Sequence, residues 1–177
     1  MSAEFTINKI RGALGEHLMS FDHKSDRRVF LEIAPETVYE ASSVMFEEIG
    51  ARLQIATGID TPPGIEVMYH WALDGEDCVV TIRTLVGRDA PVLDSIAELC
   101  PAAEWIEREI WELLGVEFSG HPDMRHLLLD DSWPEGDYPL RKGYRGHGPL
   151  PQSPSPPVGA HHDVGAGHAR EEGAQDD

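Results

Sequence analysis

Ile65, Val67, Tyr69, Trp71 and Leu73 alternate with Glu66, Met68, His70 and Ala72, the two-residue period of a strand with one covered face. Asp74-Gly75-Glu76-Asp77 follows as turn chemistry, and Cys78 to Val86 runs back as a second β-rich stretch, which together predict a hairpin. On its N-terminal side, Phe5 to Leu14 predicts a short helix, and Val29, Leu31 and Ile33 fall on one face of a strand. Pro35 opens a helical stretch in which Val38, Ala41, Met45 and Ile49 recur at helical spacing before Gly50. Leu53, Ile55 and Ile59 predict another strand, ended by Pro62-Pro63-Gly64, and Gly87 to Pro91 is a loop.

The last periodic element is a helix from about Ala102, preceded by Pro101. Its apolar stripe is Ala103, Ile106, Ile110, Leu113 and Leu114, and Gly115 suits a left-handed cap. This order predicts an α+β fold over residues 1–120: a mixed sheet with a central β-hairpin, helices packed on one face, then an extended C-terminal segment. Periodicity stops after Gly120, although 121–145 remains rich in large side chains such as Met124, Leu127, Leu128, Leu129, Trp133, Tyr138, Leu140 and Tyr144. An aperiodic stretch this apolar predicts a segment laid against a partner. From Gly146 to Asp177 the chain is rich in Pro, Gly and His with an acidic end, a composition that predicts a disordered tail.

Charge narrows the partners. Lys and Arg number 14 against 32 Asp and Glu, a net charge of -18. Such a surface repels nucleic acid and anionic headgroups, which need clustered cations. The same balance suits solubility or a salt-adapted proteome. No run approaches the roughly 20 apolar residues of a membrane-spanning helix, and the N-terminus has no signal-peptide pattern, so the chain reads as cytoplasmic. Cys78 and Cys100 stand alone without CxxC spacing, which suits buried free thiols rather than an iron–sulfur or zinc ligand set. Phosphate loops, dinucleotide fingerprints and nucleophile elbows are missing, so no catalytic, cofactor-binding or metal residue is assigned.

The densest motif is Glu107-Arg108-Glu109 followed by Glu112 and Leu113-Leu114-Gly115, then Gly120-His121-Pro122, Arg125 and Leu127-Leu128-Leu129. Trp133-Pro134-Glu135-Gly136 and Pro139-Leu140-Arg141-Lys142 come next. This compound pattern, from about Ala102 to Tyr144, resembles the C-subunit family of proton-pumping NADH-quinone oxidoreductase (respiratory complex I) and the equivalent subunits of membrane-bound energy-converting hydrogenases. Position 143 is Gly where the family's closing motif carries Asp, and the wording at Trp133 to Gly136 is closer to the hydrogenase-type relatives.

The resemblance implies a structural subunit of the peripheral arm, on the cytoplasmic face of the inner membrane. It would brace the large hydrogenase-like subunit and the small iron–sulfur subunit, supporting electron transfer to quinone coupled to proton pumping. Iron–sulfur clusters, with FMN or a NiFe centre, are then expected in those partners and no cofactor here. It points to Glu107, Arg108, Glu109, Glu112, Gly120, His121, Pro122, Arg125, Arg141 and Lys142 as interface or fold-fixing residues. The equivalent subunit of a [NiFe]-hydrogenase or formate hydrogenlyase complex is the alternative within this class.

Two readings of the charged helix stay open. Glu104–Arg108 and Arg108–Glu112 are four apart, and such pairs on a solvated face contribute about 0.2–0.5 kcal/mol each. Arg108 and Arg125 could instead hold the helix and the following loop against a partner through ion pairs. The rival of another class is a free-standing metal-binding protein using His121, Asp123 and His126. The five-residue spacing and Pro122 deny those histidines a shared helical face, so His121-Pro122 reads as a turn. The tail histidines, His147, His161, His162 and His168, suit adventitious metal binding.

Overall fold

A computed structural model of the chain describes residues 3–146. The tail from Gly146 therefore lies, beyond its first residue, outside the described residues. Among the described residues are three α-helices and seven strands: α1 (Ala3–Leu14), β1 (Leu18–Ser25), β2 (Arg28–Ile33), α2 (Val38–Ser43), β3 (Arg52–Thr61), β4 (Gly64–Leu73), β5 (Cys78–Val86), β6 (Val92–Asp94), α3 (Glu104–Leu114) and β7 (Glu117–Ser119). This is the expected α+β fold. Five strands form one mixed sheet in the order β1-β2-β5-β4-β3, and β6 pairs with β7 in a small parallel sheet. Only β2 and β5 run parallel within the large sheet. The predicted hairpin is β4–β5, with Leu73 opposite Cys78 and Ile65 opposite Val86.

Alternation decides which face is covered. Ile65, Val67, Tyr69, Trp71 and Leu73 of β4, Val80, Ile82 and Val86 of β5, and Val29, Leu31 and Ile33 of β2 are all buried. They pack with Ile7, Ile10 and Leu14 of α1, with Val38 and Ala41 of α2, with Met45 just beyond it, and with Ile110 and Leu114 of α3. Pro35 starts a 3-10 turn that feeds α2, and α2 runs on through a π-helical turn, Val44–Glu48. A bulge between Leu53 and Ile55 resets β3. Leu53 and Ala56 thereby enter the core, while Ile55 and Ile59 stay exposed beside His70 and Glu66 on the opposite face.

Three strands depart from the sequence reading. β1 follows α1 where no strand was expected, because LMSFDHKS does not alternate and the strand is an edge with no buried residue. β6 and β7 are three residues each, too short to carry a period. α3 is positioned by β3: Leu114 and Ile110 lie over Gly58, where an added Cβ would collide with the Leu114 side chain. That close approach fixes the height of α3 over the sheet, and so of every charged residue it carries.

Candidate functional site

Three of the charges on α3 are buried: Glu107, Arg108 and Glu112. Neither predicted four-apart ion pair supplies their partners, and the solvated-face reading gives way to contacts far along the chain. Arg108 reaches into the segment after α3, donating from Nε to the carbonyl of Arg125 at 2.9 Å and from its terminal nitrogen to that of His126 at 2.7 Å. Glu112 takes the complementary groups. Its carboxylate accepts the backbone N–H groups of Leu127 at 2.9 Å, Leu128 at 2.8 Å and Leu129 at 3.3 Å, with His126 Nδ1 at 3.3 Å. One helix therefore holds five consecutive residues chiefly by their backbone, cation to carbonyls and carboxylate to amides, with the His126 ring beside them. Charge-assisted bonds of this kind are shorter and roughly twice as strong as neutral ones.

Glu107 faces the other way, toward the core. It accepts from Ser95 Oγ at 2.6 Å and from the Ile96 N–H at 3.0 Å, which pins the loop leading into α3. Burial raises its pKa against the lowering effect of these donors and of His121. Burial, with the Glu107 charge, also pushes the Tyr69 phenol well up. Glu109 remains half-exposed on the same helix.

His121 fixes the exit from α3. Gly120 takes φ 78°, a value that favours glycine, and the His121 N–H closes the turn on the Phe118 carbonyl at 3.2 Å. The ring nitrogen Nδ1 accepts the Asp123 N–H at 3.1 Å, and Nε2 donates to the Glu104 carbonyl at 2.9 Å. Both nitrogens are thus engaged, and the next residue, Pro122, is exposed. A metal at His121 would have to displace one of these bonds. Among the described residues no cluster of three His, Cys, Asp or Glu side chains forms a metal-ligand set.

The end of α3 is closed by the last part of the segment. The Leu140 N–H donates to the Leu113 carbonyl at 3.0 Å. Arg141 Nε donates to the Leu114 carbonyl at 2.7 Å and Nη1 to the Arg88 carbonyl at 3.1 Å, with the guanidinium 4.5 Å from the Tyr138 ring centre. Orphan carbonyls at a helix C-terminus favour a cation. Gly115, at φ 70°, leaves room for Tyr138, whose ring an added Cβ would overlap. Lys142 contributes its backbone rather than its side chain: its N–H donates to Asp60 Oδ2 at 2.6 Å, and Arg88 pairs with Asp60 Oδ1. Burial opposes ionisation of Asp60, yet the Lys142 N–H and the Arg88 guanidinium outweigh it and hold the carboxyl below the usual range.

Arg125 is the exception in the motif. Its side chain is 74% exposed and, among the described residues, pairs only with Asp123, Nε to Oδ2 at 2.9 Å. Leu128 and Leu140 of the same segment are also exposed, at 63% and 58%. Residues 121–145 contain no helix or strand, and they are nonetheless bound along α3, by the His121 ring at Glu104 and by backbone groups at Arg108, Glu112 and Leu113. Sequence reasoning missed Asp60, Arg88 and Ser95, and gave Tyr138 only as one of the large side chains of 121–145. Asp60 lies just before the Pro62-Pro63 turn, and its partner lies 82 residues on, where no local pattern reaches.

Residues 31–150 match the family model described as respiratory-chain NADH dehydrogenase, 30 Kd subunit, and they include the whole of α3 and its clamped segment. The chain belongs to this family. The C subunit of F420H2 dehydrogenase of Methanosarcina mazei is 28% identical over 153 residues, 82% of this chain and 94% of that protein. The C subunit of NADH-quinone oxidoreductase of Chloroherpeton thalassium is 37% identical over 91 residues, 50% of this chain and 37% of that one. The fused C/D subunit of NADH-quinone oxidoreductase of Methylococcus capsulatus is 38% identical over 78 residues, 44% of this chain and 13% of the fused protein. This 30 Kd-subunit relative therefore spans well under half the length of those two NADH-quinone oxidoreductase proteins.

Two solved structures share its fold. A membrane-bound sulfane sulfur reductase, an archaeal respiratory membrane complex, contains a chain that superposes with TM-score 0.68 at 23% identity, over 80% of this chain and 84% of that one. The trypsin-resistant fragment of Nqo5 gives TM-score 0.54 at 22% identity, over 70% and 99% respectively. Among the described residues no helix is long and apolar enough to cross a membrane.

Proposed function

We propose that this chain is a non-catalytic bracing subunit in the peripheral arm of a complex I-type oxidoreductase, seated on the cytoplasmic face of the inner membrane. Its partners are the large hydrogenase-like subunit and the small iron–sulfur subunit, which hold the clusters and the FMN or NiFe centre. It supports their electron transfer to quinone, and the proton pumping coupled to it, by fixing their geometry. The observation that carries this reading is the allocation of charge around α3. Arg108, Glu112 and Arg141 are spent on the chain's own backbone, which holds residues 121–145 in one shape with Arg125, Leu128 and Leu140 facing outward. An ordered apolar surface of irregular backbone suits a permanent partner.

A second reading within this class has its own support. The near full-length match to the C subunit of F420H2 dehydrogenase favours a complex whose electron donor is not NADH. The test is co-expression of the tagged full chain with the large and small subunits encoded in the same genome. Recovery of all three in equal amounts, with iron–sulfur absorption that the chain alone does not show, is expected. A chain that purifies alone while the other two pair without it would overturn the proposal.

A further inference from the structure

Beside the clamp, between the C-terminal half of α3 and residues 131–138, lies a cavity of about 360 Å³. Its walls include two indoles, Trp111 and Trp133, and five acidic residues, among them Glu117, Asp131 and Glu135. Among the described residues no Lys or Arg lines it. Both indoles are held by their N–H groups, Trp111 on Glu117 Oε1 at 3.4 Å and Trp133 on the Asp137 carbonyl at 2.7 Å. The His126 ring backs Trp111 with centroids 5.2 Å apart. Glu112, which spends its carboxylate on the amides of 127–129, forms part of the same wall, so the cavity exists only while the segment is clamped.

Aromatic faces and carboxylates with no Lys or Arg beside them in the lining attract the same ligand. A cation over an indole is drawn by the ring's quadrupole, more strongly once desolvated, and Trp is the best of the aromatic partners. A planar guanidinium stacks on such a ring and presents donors at its edge to carboxylates, which a compact ammonium does less well. Arginine is moreover enriched at the centres of protein interfaces. We infer that the Trp111–Trp133 cavity is a socket for one arginine side chain of a partner subunit, the acidic lining pairing with its guanidinium. This rests on the proposed role as an assembly subunit, and adds to it the place and chemistry of one anchoring contact.

The experiment uses the full chain labelled with nitrogen-15 and titrated with N-acetyl-arginine amide, followed through the four indole N–H resonances. Saturable shifts at Trp111 and Trp133 in the millimolar range are expected, with Trp71 and Trp105 unmoved. The neutral isostere N-acetyl-citrulline amide should give no saturable shift, and the double variant Asp131→Asn, Glu135→Gln should weaken arginine binding at least several-fold without changing the Trp71 resonance. Equal response to citrulline, or none to arginine, would overturn the socket. So would indole shifts that appear on removing residues 147–177, because an arginine of the chain's own tail would then be the occupant. Co-purification with the partner subunits is scored separately. Parent chain that fails to co-purify counts against the assembly role, whereas a double variant that assembles as well as the parent counts against the socket alone.

Discussion

Glu112 Oε1 accepts the backbone N–H of Leu128 at 2.8 Å, across 16 residues of chain. The amides of Leu127 and Leu129 close on Oε2 of the same carboxylate. Three successive N–H groups converging on one anion make a nest, here with a side chain of the same molecule as the guest. A segment without a helix or strand is thereby given a fixed backbone.

Removing that guest should release the segment without unfolding the domain. In Glu112→Ala the three amides lose their acceptor, and an unsatisfied buried donor costs about 1–3 kcal/mol. A local loss near 2 kcal/mol corresponds to roughly a thirty-fold fall in exchange protection. Amide hydrogen exchange should show that fall at 127–129, while strands β4 and β5 keep their protection. Glu112→Gln, which retains one acceptor oxygen, should fall between.

The two buried carboxylates should respond to pH with opposite sign. Glu107 has a raised pKa, chiefly from burial, so its contribution to stability is full below its unfolded value and is lost as pH rises through the folded one. Glu107→Gln mimics the protonated form at every pH. Its melting temperature relative to the parent should therefore improve as pH rises above the ordinary glutamate pKa of about 4.3. Asp60 has a lowered pKa, so its contribution is present above the unfolded value and is lost as pH falls through the folded one. The Lys142 amide resonance should titrate with a midpoint below the ordinary aspartate value of about 3.9. A midpoint at or above it would mean that Arg88 and Lys142 do not hold the charge.

Gly115 carries two constraints and Gly120 one. Both have positive φ, but an added Cβ meets the Tyr138 ring only at Gly115 and open space at Gly120. A left-handed conformation costs a residue with a side chain about 1–2 kcal/mol. Gly120→Ala should show that cost alone. Gly115→Ala should exceed it and displace Tyr138, lowering the melting temperature by roughly 4–8 °C if the total is near 2 kcal/mol. Thermal melts of both variants make the comparison, and equal losses would mean that the ring contact contributes nothing.

The hairpin, α3 with its glycine cap, and the helical stretch after Pro35 were legible because period and capping are local. β1 was not, since an exposed edge strand needs no alternation, and Leu18 to Ser25 shows none. The stripe on α3 was legible through Ala103, Ile110 and Leu114. The burial of Glu107, Arg108 and Glu112 was not, because charged residues are buried only when paired, and their partners are the Ser95 hydroxyl, the Ile96 N–H and backbone groups of residues 125–129. Four-apart spacing suggested ion pairs along the helix, whereas each side chain found a stronger, distant partner. The family motif brought Arg108, Glu112, His121 and Arg141 together as a set, and the structure supplies a physical reason for the grouping: all four hold 121–145 on α3.

The central claim is that this held segment serves association rather than the stability of the chain itself, and Arg125→Ala tests it most directly. Arg125 is 74% exposed with Asp123 as its ion-pair partner, so its loss should change the free chain's stability by roughly 0.5 kcal/mol or less. Held against a partner's carboxylate or carbonyl, the same truncation costs about 2–5 kcal/mol of association, because the other group is left unpaired. Thermal melting of the isolated variant should be compared with recovery of the assembled complex on native gels. The account predicts an unchanged melt beside at least a ten-fold loss of complex affinity, about 1.4 kcal/mol. Full assembly of the variant, or a melting loss large enough to explain the defect by itself, would contradict it.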